Sequence, residues 1–126
     1  MNTKRKIINS FLNKIYCLLF KIGCRTGCHQ RADRSFFFKG YQFPICARCT
    51  GVIIGYGLTI PIYLLWQFYY HHCLIACLIM LLDWMIQYFK IRESTNIRRL
   101  VTGILGGFGV FGFQILLTID LIRLIF

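Results

Sequence analysis

Residues 50–70 read TGVIIGYGLTIPIYLLWQFYY, without a single Asp, Glu, Lys or Arg. A helix of about 20 such residues spans the hydrocarbon core of a bilayer. It satisfies its own backbone donors and acceptors where no water can. Composition excludes a buried soluble helix as the rival: the chain is 57% hydrophobic and only 15% charged, with a mean hydropathy of +0.61. The segment ends in an aromatic belt. Pro61 lies inside it and predicts a kink, which neighbours tolerate by satisfying the freed carbonyl.

Two further segments repeat the signal. Residues 73–89, CLIACLIMLLDWMIQYF, are short and carry Asp83; residues 100–120, opening LVTGILGGFGVFGFQILLTI, are apolar and rich in glycine. The N-terminal stretch differs. Over residues 4–23, Ile7, Ile8, Phe11, Leu12, Ile15, Leu18, Leu19 and Ile22 fall on one helical face, and Ser10, Asn13, Lys14, Cys17 and Lys21 on the other. This pattern predicts a helix lying in the membrane interface. A signal peptide fits worse, because Asn9, Ser10, Asn13 and Lys14 break the apolar run and no small-residue cleavage site follows. The expected fold is all-α: an integral membrane bundle of three transmembrane helices, an N-terminal amphipathic interfacial helix and a Cys/His-rich cytosolic-side loop over 24–49. Residues 1–126 are read as one membrane domain.

The formal net charge is +11. No basic helix or nucleic-acid motif accompanies it, so the expected partner is membrane lipid and not nucleic acid. Lys4, Arg5, Lys6, Lys14 and Lys21 precede the loop, and Arg25, Arg31, Arg34, Lys39 and Arg48 lie in or beside it. Lys90, Arg92, Arg98 and Arg99 follow the second span, whereas the other inter-span connection contributes only histidines. Basic loops stay cytoplasmic. The expectation is a multi-pass cell-membrane protein with its N-terminus and loop in the cytosol and its C-terminus outside.

That orientation bears on the thiols. Cys28 and His29 precede a CxxC at Cys46 and Cys49, which opens the first span; Cys24 lies four residues before Cys28. In a reducing compartment, stable disulfides give way to metal binding or reactive thiols. Two ligand pairs separated by a loop suit a tetrahedral zinc site. Cys28, His29, Cys46 and Cys49 are the favoured set. Adjacent residues seldom ligate one ion without strain, so Cys24 with Cys28 is the substitute for the first pair. A CxxC at a helix N-terminus beside Arg48 also suits thiol–disulfide exchange. Inert packing is the third reading. Cys73 and Cys77, one turn apart, read as packing residues.

An ionisable residue at membrane depth points to function. Asp83 and Gln87 share a helix face and are the candidate catalytic pair, with Asp83 as general base. The alternative is that Asp83 partners an arginine such as Arg48, Arg98 or Arg99. Ser94, Thr95 and Asn96 are good caps for the third span; its N-terminus with Arg98 and Arg99 could equally form an anion site. Gly51 and Gly55, and again Gly103 and Gly107, have the GxxxG spacing that lets helix backbones touch. Packing of the first span on the third is one use of these faces, and a homodimer is the rival use. The thiols, Asp83, Gln87, the cap and the arginines all fall near the cytosolic leaflet, where a single polar site is expected.

The strings CHQ, RSFFFKGYQFPICARCTG, DWMIQ and ESTNIRRLVTG resemble the family of small integral membrane proteins known as domain of unknown function two-zero-eight-five. The resemblance covers about residues 28–109. It implies membrane location and a motif-rich cytosolic face, but no particular reaction. The motif positions it marks are Cys28, His29, Gln30, Arg34, Ser35, Phe36, Cys46, Arg48, Cys49, Gly51, Asp83, Gln87, Ser94, Asn96, Arg98 and Thr102. Cys24 lies outside them.

The functional expectation is a zinc-type Cys/His site with an arginine-rich polar pocket at the cytosolic face. Arg34, Arg48, Ser94, Asn96, Arg98 and Arg99 would hold an anionic small molecule or a lipid phosphate. The alternatives are a membrane thiol oxidoreductase using Cys46 and Cys49, and a structural or partner-binding bundle around an inert zinc knot.

Overall fold

The computed structural model describes residues 2–126, with side chains from residue 9 onward. Lys4, Arg5, Lys6, Ile7 and Ile8, named above for charge and periodicity, have side chains outside that range. The chain forms two compact units, Met1–Cys46 and Ala47–Phe126.

In the first unit, helix α1 runs over Asn2–Arg25. Its end is a full C-terminal motif: the Cys28 N–H bonds Gly23 O at 3.2 Å and the Gly27 N–H bonds Cys24 O at 3.2 Å. Gly27 makes this possible by taking φ +77°, a backbone state that a Cβ disfavours. A short 3₁₀ turn, Ala32–Arg34, follows, then strands β1, Phe37–Phe38, and β2, Tyr41–Gln42. The strands pair antiparallel, Phe37 opposite Gln42 and Phe38 opposite Tyr41. Lys39 and Gly40 turn the hairpin with φ of 49° and 83°, the positive pair that matches strand twist. The sequence-based expectation of a plain loop over 24–49 missed this hairpin, because its strands are too short to show alternation.

The second unit holds three helices long and apolar enough to cross a membrane: α2, Ala47–Trp66; α3, Tyr70–Tyr88; and α4, Asn96–Ile125. α2 continues through Pro61. The expected all-α membrane bundle is what the chain forms. Each expected span is present with shifted ends: α2 stops at Trp66, four residues short of the expected 70, Tyr70 already opens α3, and α4 runs from Asn96 to Ile125 around the expected 100–120.

The bundle is packed in the manner of a membrane protein. Its interior residues are small or polar: Gly51, Gly55 and Thr59 on α2, Cys73 and Ala76 on α3, and Thr102 with five glycines on α4. Large apolar side chains such as Ile53, Leu58, Leu74, Leu78, Val110 and Leu117 are exposed. In lipid, helices gain nothing by hiding leucine from tails that are equally apolar, and association follows close backbone contact.

α4 supplies that contact on two sides. A Cβ on Gly51 would run into Leu100 O, and one on Gly55 into Ile104 O; reciprocally, Gly103 meets Arg48 O and Gly107 meets Val52 O. On α4's other side Gly106 faces Met80, Gly109 faces Cys77 and the Cys73 carbonyl, and Gly112 faces Cys73 Sγ and Phe68. Phe68, 7% exposed, closes that end of the bundle against Phe108, with ring centroids 4.8 Å apart.

Candidate functional site

The first unit is built around Gln30, held at φ 45°. Its amide Nε2 donates to Phe20 O at 2.6 Å and Pro44 O at 2.7 Å, tying the last turns of α1 to the segment before the CxxC. Gly23 leaves room for this: a Cβ there would lie 2.5 Å from Gln30 Nε2 and 2.6 Å from Pro44 O. Gln42 Nε2 donates to Gln30 O at 2.8 Å, and Tyr16 Oη donates to Gln42 O at 2.6 Å. Ser35, 2% exposed, donates to Arg31 O at 2.9 Å. Gln30 of CHQ and Ser35 of RSF therefore serve a part-buried polar frame beside Cys28.

Cys28 is buried, and its Sγ accepts the Cys46 N–H at 3.2 Å. Cys46 ends the first unit, and Cys49, which completes the CxxC, lies three residues on in the first turn of α2. All three are unbridged thiols. His29, also expected in this set, is exposed. Cys24 is exposed and donates to Gln30 Oε1 at 3.0 Å.

Because Gly27 delivers Cys28 into place, it is a sensitive position. Ala in the left-handed region costs about 1–2 kcal/mol, although no neighbour lies within 4 Å of the added carbon. Gly27→Ala is expected to lower thermal stability by about that amount, and Gly27→Asn by less, as measured by melting in detergent.

A second centre lies within the three-helix unit. Asp83 is 3% exposed. Its Oδ2 accepts from Arg48 Nη2 at 2.9 Å, Gln87 Nε2 at 2.6 Å and Thr102 Oγ1 at 3.2 Å. Arg98 Nε lies 2.7 Å from Oδ1 as a charge contact, but its N–H is not aligned as a hydrogen bond, and Oδ1 has no such partner. Gln87 Oε1 in turn accepts from Arg99 Nε at 3.2 Å. Thr102 Oγ1 is also 3.0 Å from Arg98 O; one hydroxyl proton serves one of these acceptors at a time.

Asp83 is paired with two of the arginines that the sequence offered, Arg48 from α2 and Arg98 from α4. Gln87, the other catalytic candidate, bridges Asp83 to Arg99. Thr95 is the helix cap, accepting the Arg98 N–H at 3.3 Å, and Asn96 is the first residue of α4. Ser94 is buried and lies 3.3 Å from Thr95 O. Arg34 belongs to the first unit, where it is exposed and 3.8 Å from Asp33. Thr102 was marked only by the family resemblance. Its spacing of four from Arg98 carried the signal, since that spacing puts both on one helix face.

An uncharacterized protein of Methanothermobacter thermautotrophicus is 34% identical over 92 residues, covering 66% of this chain and 79% of that protein. An uncharacterized protein of Methanocaldococcus jannaschii is 35% identical over 112 residues, covering 83% of this chain and 67% of that one. No solved structure matches. Residues 28–113, which include both centres, match the family described as "Predicted membrane protein (DUF2085)", and the chain belongs to that family of membrane proteins.

Proposed function

We propose that this multi-pass membrane protein holds a zinc ion on the thiolates of Cys28, Cys46 and Cys49. The observation that carries the reading is the approach of Cys28 to Cys46, whose N–H bonds Cys28 Sγ at 3.2 Å, in a CxxC that Cys49 completes three residues on. A tetrahedral zinc takes such sulfurs at about 2.3 Å, and a CxxC presents two of them to one ion. Thiolates are soft ligands and favour zinc over magnesium or calcium. The Cys46 N–H at Cys28 Sγ is the kind of outer hydrogen bond that orients a ligand and stabilises its anionic form.

His29 is the candidate fourth ligand, and its exposed ring has room to turn. A water or substrate in that position is the other arrangement, and is the one that characterises catalytic zinc. The basic segments support a cytosolic placement of the loop, which would keep the thiols reduced.

Elemental analysis of protein purified in detergent is expected to find one zinc per chain. Cys28→Ser, Cys46→Ser and Cys49→Ser should each lose most of it. His29→Ala distinguishes the two arrangements: a protein ligand gives a marked drop in affinity, a bound water gives none. Metal-free protein with a reversible Cys46–Cys49 disulfide would overturn the zinc reading in favour of a thiol oxidoreductase. Labelling of Cys46 or Cys49 by an impermeant maleimide on intact cells would overturn the cytosolic placement.

A further inference from the structure

We propose that the Asp83 centre is the floor of a receptor for one phosphate group, held by Arg48, Arg98 and Arg99. The inference is independent of the metal reading and stands on the charge and placement of the three-helix unit alone. One carboxylate faces two guanidiniums directly and a third through Gln87. The centre therefore carries two more positive than negative charges. Arg48 opens α2, Asp83 and Gln87 lie in the last two turns of α3, and Arg98 and Arg99 lie in the first turn of α4. All five are at one end of the bundle, where a span meets lipid headgroups.

Electrostatics alone would not put arginines there. The start of a helix is its positive end, and cations at that end are disfavoured by about 0.3–1 kcal/mol each. Asp83 offsets part of that repulsion and fixes the directions of Arg48 and Arg98, but the excess charge remains. Arg48 Nε adds an independent sign. It is buried with no hydrogen-bond partner, and native interiors seldom leave such a donor unsatisfied. A phosphate oxygen satisfies it, neutralises the excess and lies at a helix N-terminus, the position where backbone N–H groups and the dipole favour anions. Arginine's planar fork suits phosphate oxygens better than lysine's point charge does. Asp83 and Gln87 then act as positioning residues that hold the guanidiniums for the ligand.

The same chemistry is offered by the headgroup of an anionic lipid and by a soluble phosphate, and the test separates the two. Wild-type protein is placed in nanodiscs of phosphatidylcholine alone or with phosphatidylglycerol, with and without inorganic phosphate, and thermal melting and lipid retained on native mass spectrometry are read. Stabilisation and retained phosphatidylglycerol, insensitive to inorganic phosphate, identify a lipid headgroup. Stabilisation by inorganic phosphate in the phosphatidylcholine discs identifies a soluble ligand. In either case Arg99→Gln is expected to weaken binding at least tenfold and Arg99→Lys to restore part of it. Arg99 bonds Gln87 and is a member of neither the Arg48–Asp83 nor the Arg98–Asp83 pair, so this variant leaves both of those ion pairs in place. If neither phosphate source raises the melting temperature of the wild-type protein, or if Arg99→Gln binds as well as wild type, the proposal is overturned.

Discussion

Asp83→Asn is expected to destabilise the three-helix unit by about 3–5 kcal/mol, the cost of removing one partner from a buried ion pair. The variant keeps the size and shape of the side chain but leaves Arg48 and Arg98 facing each other with no counter-charge. Arg48 contributes most, because its side chain is only 19% exposed; Arg98, at 37%, is better solvated. The check is a double-mutant cycle. Arg48→Met alone should be strongly destabilising, because it leaves the Asp83 carboxylate short of a donor. Asp83→Asn combined with Arg48→Met should recover much of the combined loss, as expected of residues that act as a pair. Additive losses in detergent melting would show that the two do not stabilise each other.

The second large effect is a pair of opposite signs on one helix. Gly55→Ala is expected to cost at least about 1–3 kcal/mol, because the added carbon meets Ile104 O, Phe108 N and Gly107 Cα. These are backbone atoms of α4, which cannot rotate away, so the helices must separate. Gly57→Ala, two residues on, meets nothing within 4 Å and should be neutral or stabilising by up to about 1 kcal/mol, through the smaller loss of backbone freedom. Melting of both variants in the same detergent is the measurement. Equal effects would mean that α2 and α4 do not approach as closely as described.

The spans were legible because length and apolarity are properties of single segments. The glycine spacings gave the α2–α4 contact as one of two uses, and the backbone shows that Gly51 and Gly55 meet Gly103 and Gly107 within one chain. The hairpin at Phe37–Gln42 was not legible: strands of two residues leave no periodic trace. The role of Gln30 was equally hidden. Its amide is fixed by carbonyls of Phe20 and Pro44, and no local pattern announces a bond across ten or fourteen residues.

By itself, the order of residues determined a membrane protein of three spans, a basic and thiol-rich loop before the first of them, and one acidic group inside the second. These follow from local physics: transfer of apolar surface to lipid, helical periodicity, and the cost of charge in hydrocarbon. Only the tertiary structure decided which arginines share Asp83, which helix face each glycine serves, and which cysteines approach one another. Those outcomes depend on the register between distant segments, and register is set by backbone approach and by buried polar groups finding partners, neither of which a single segment contains.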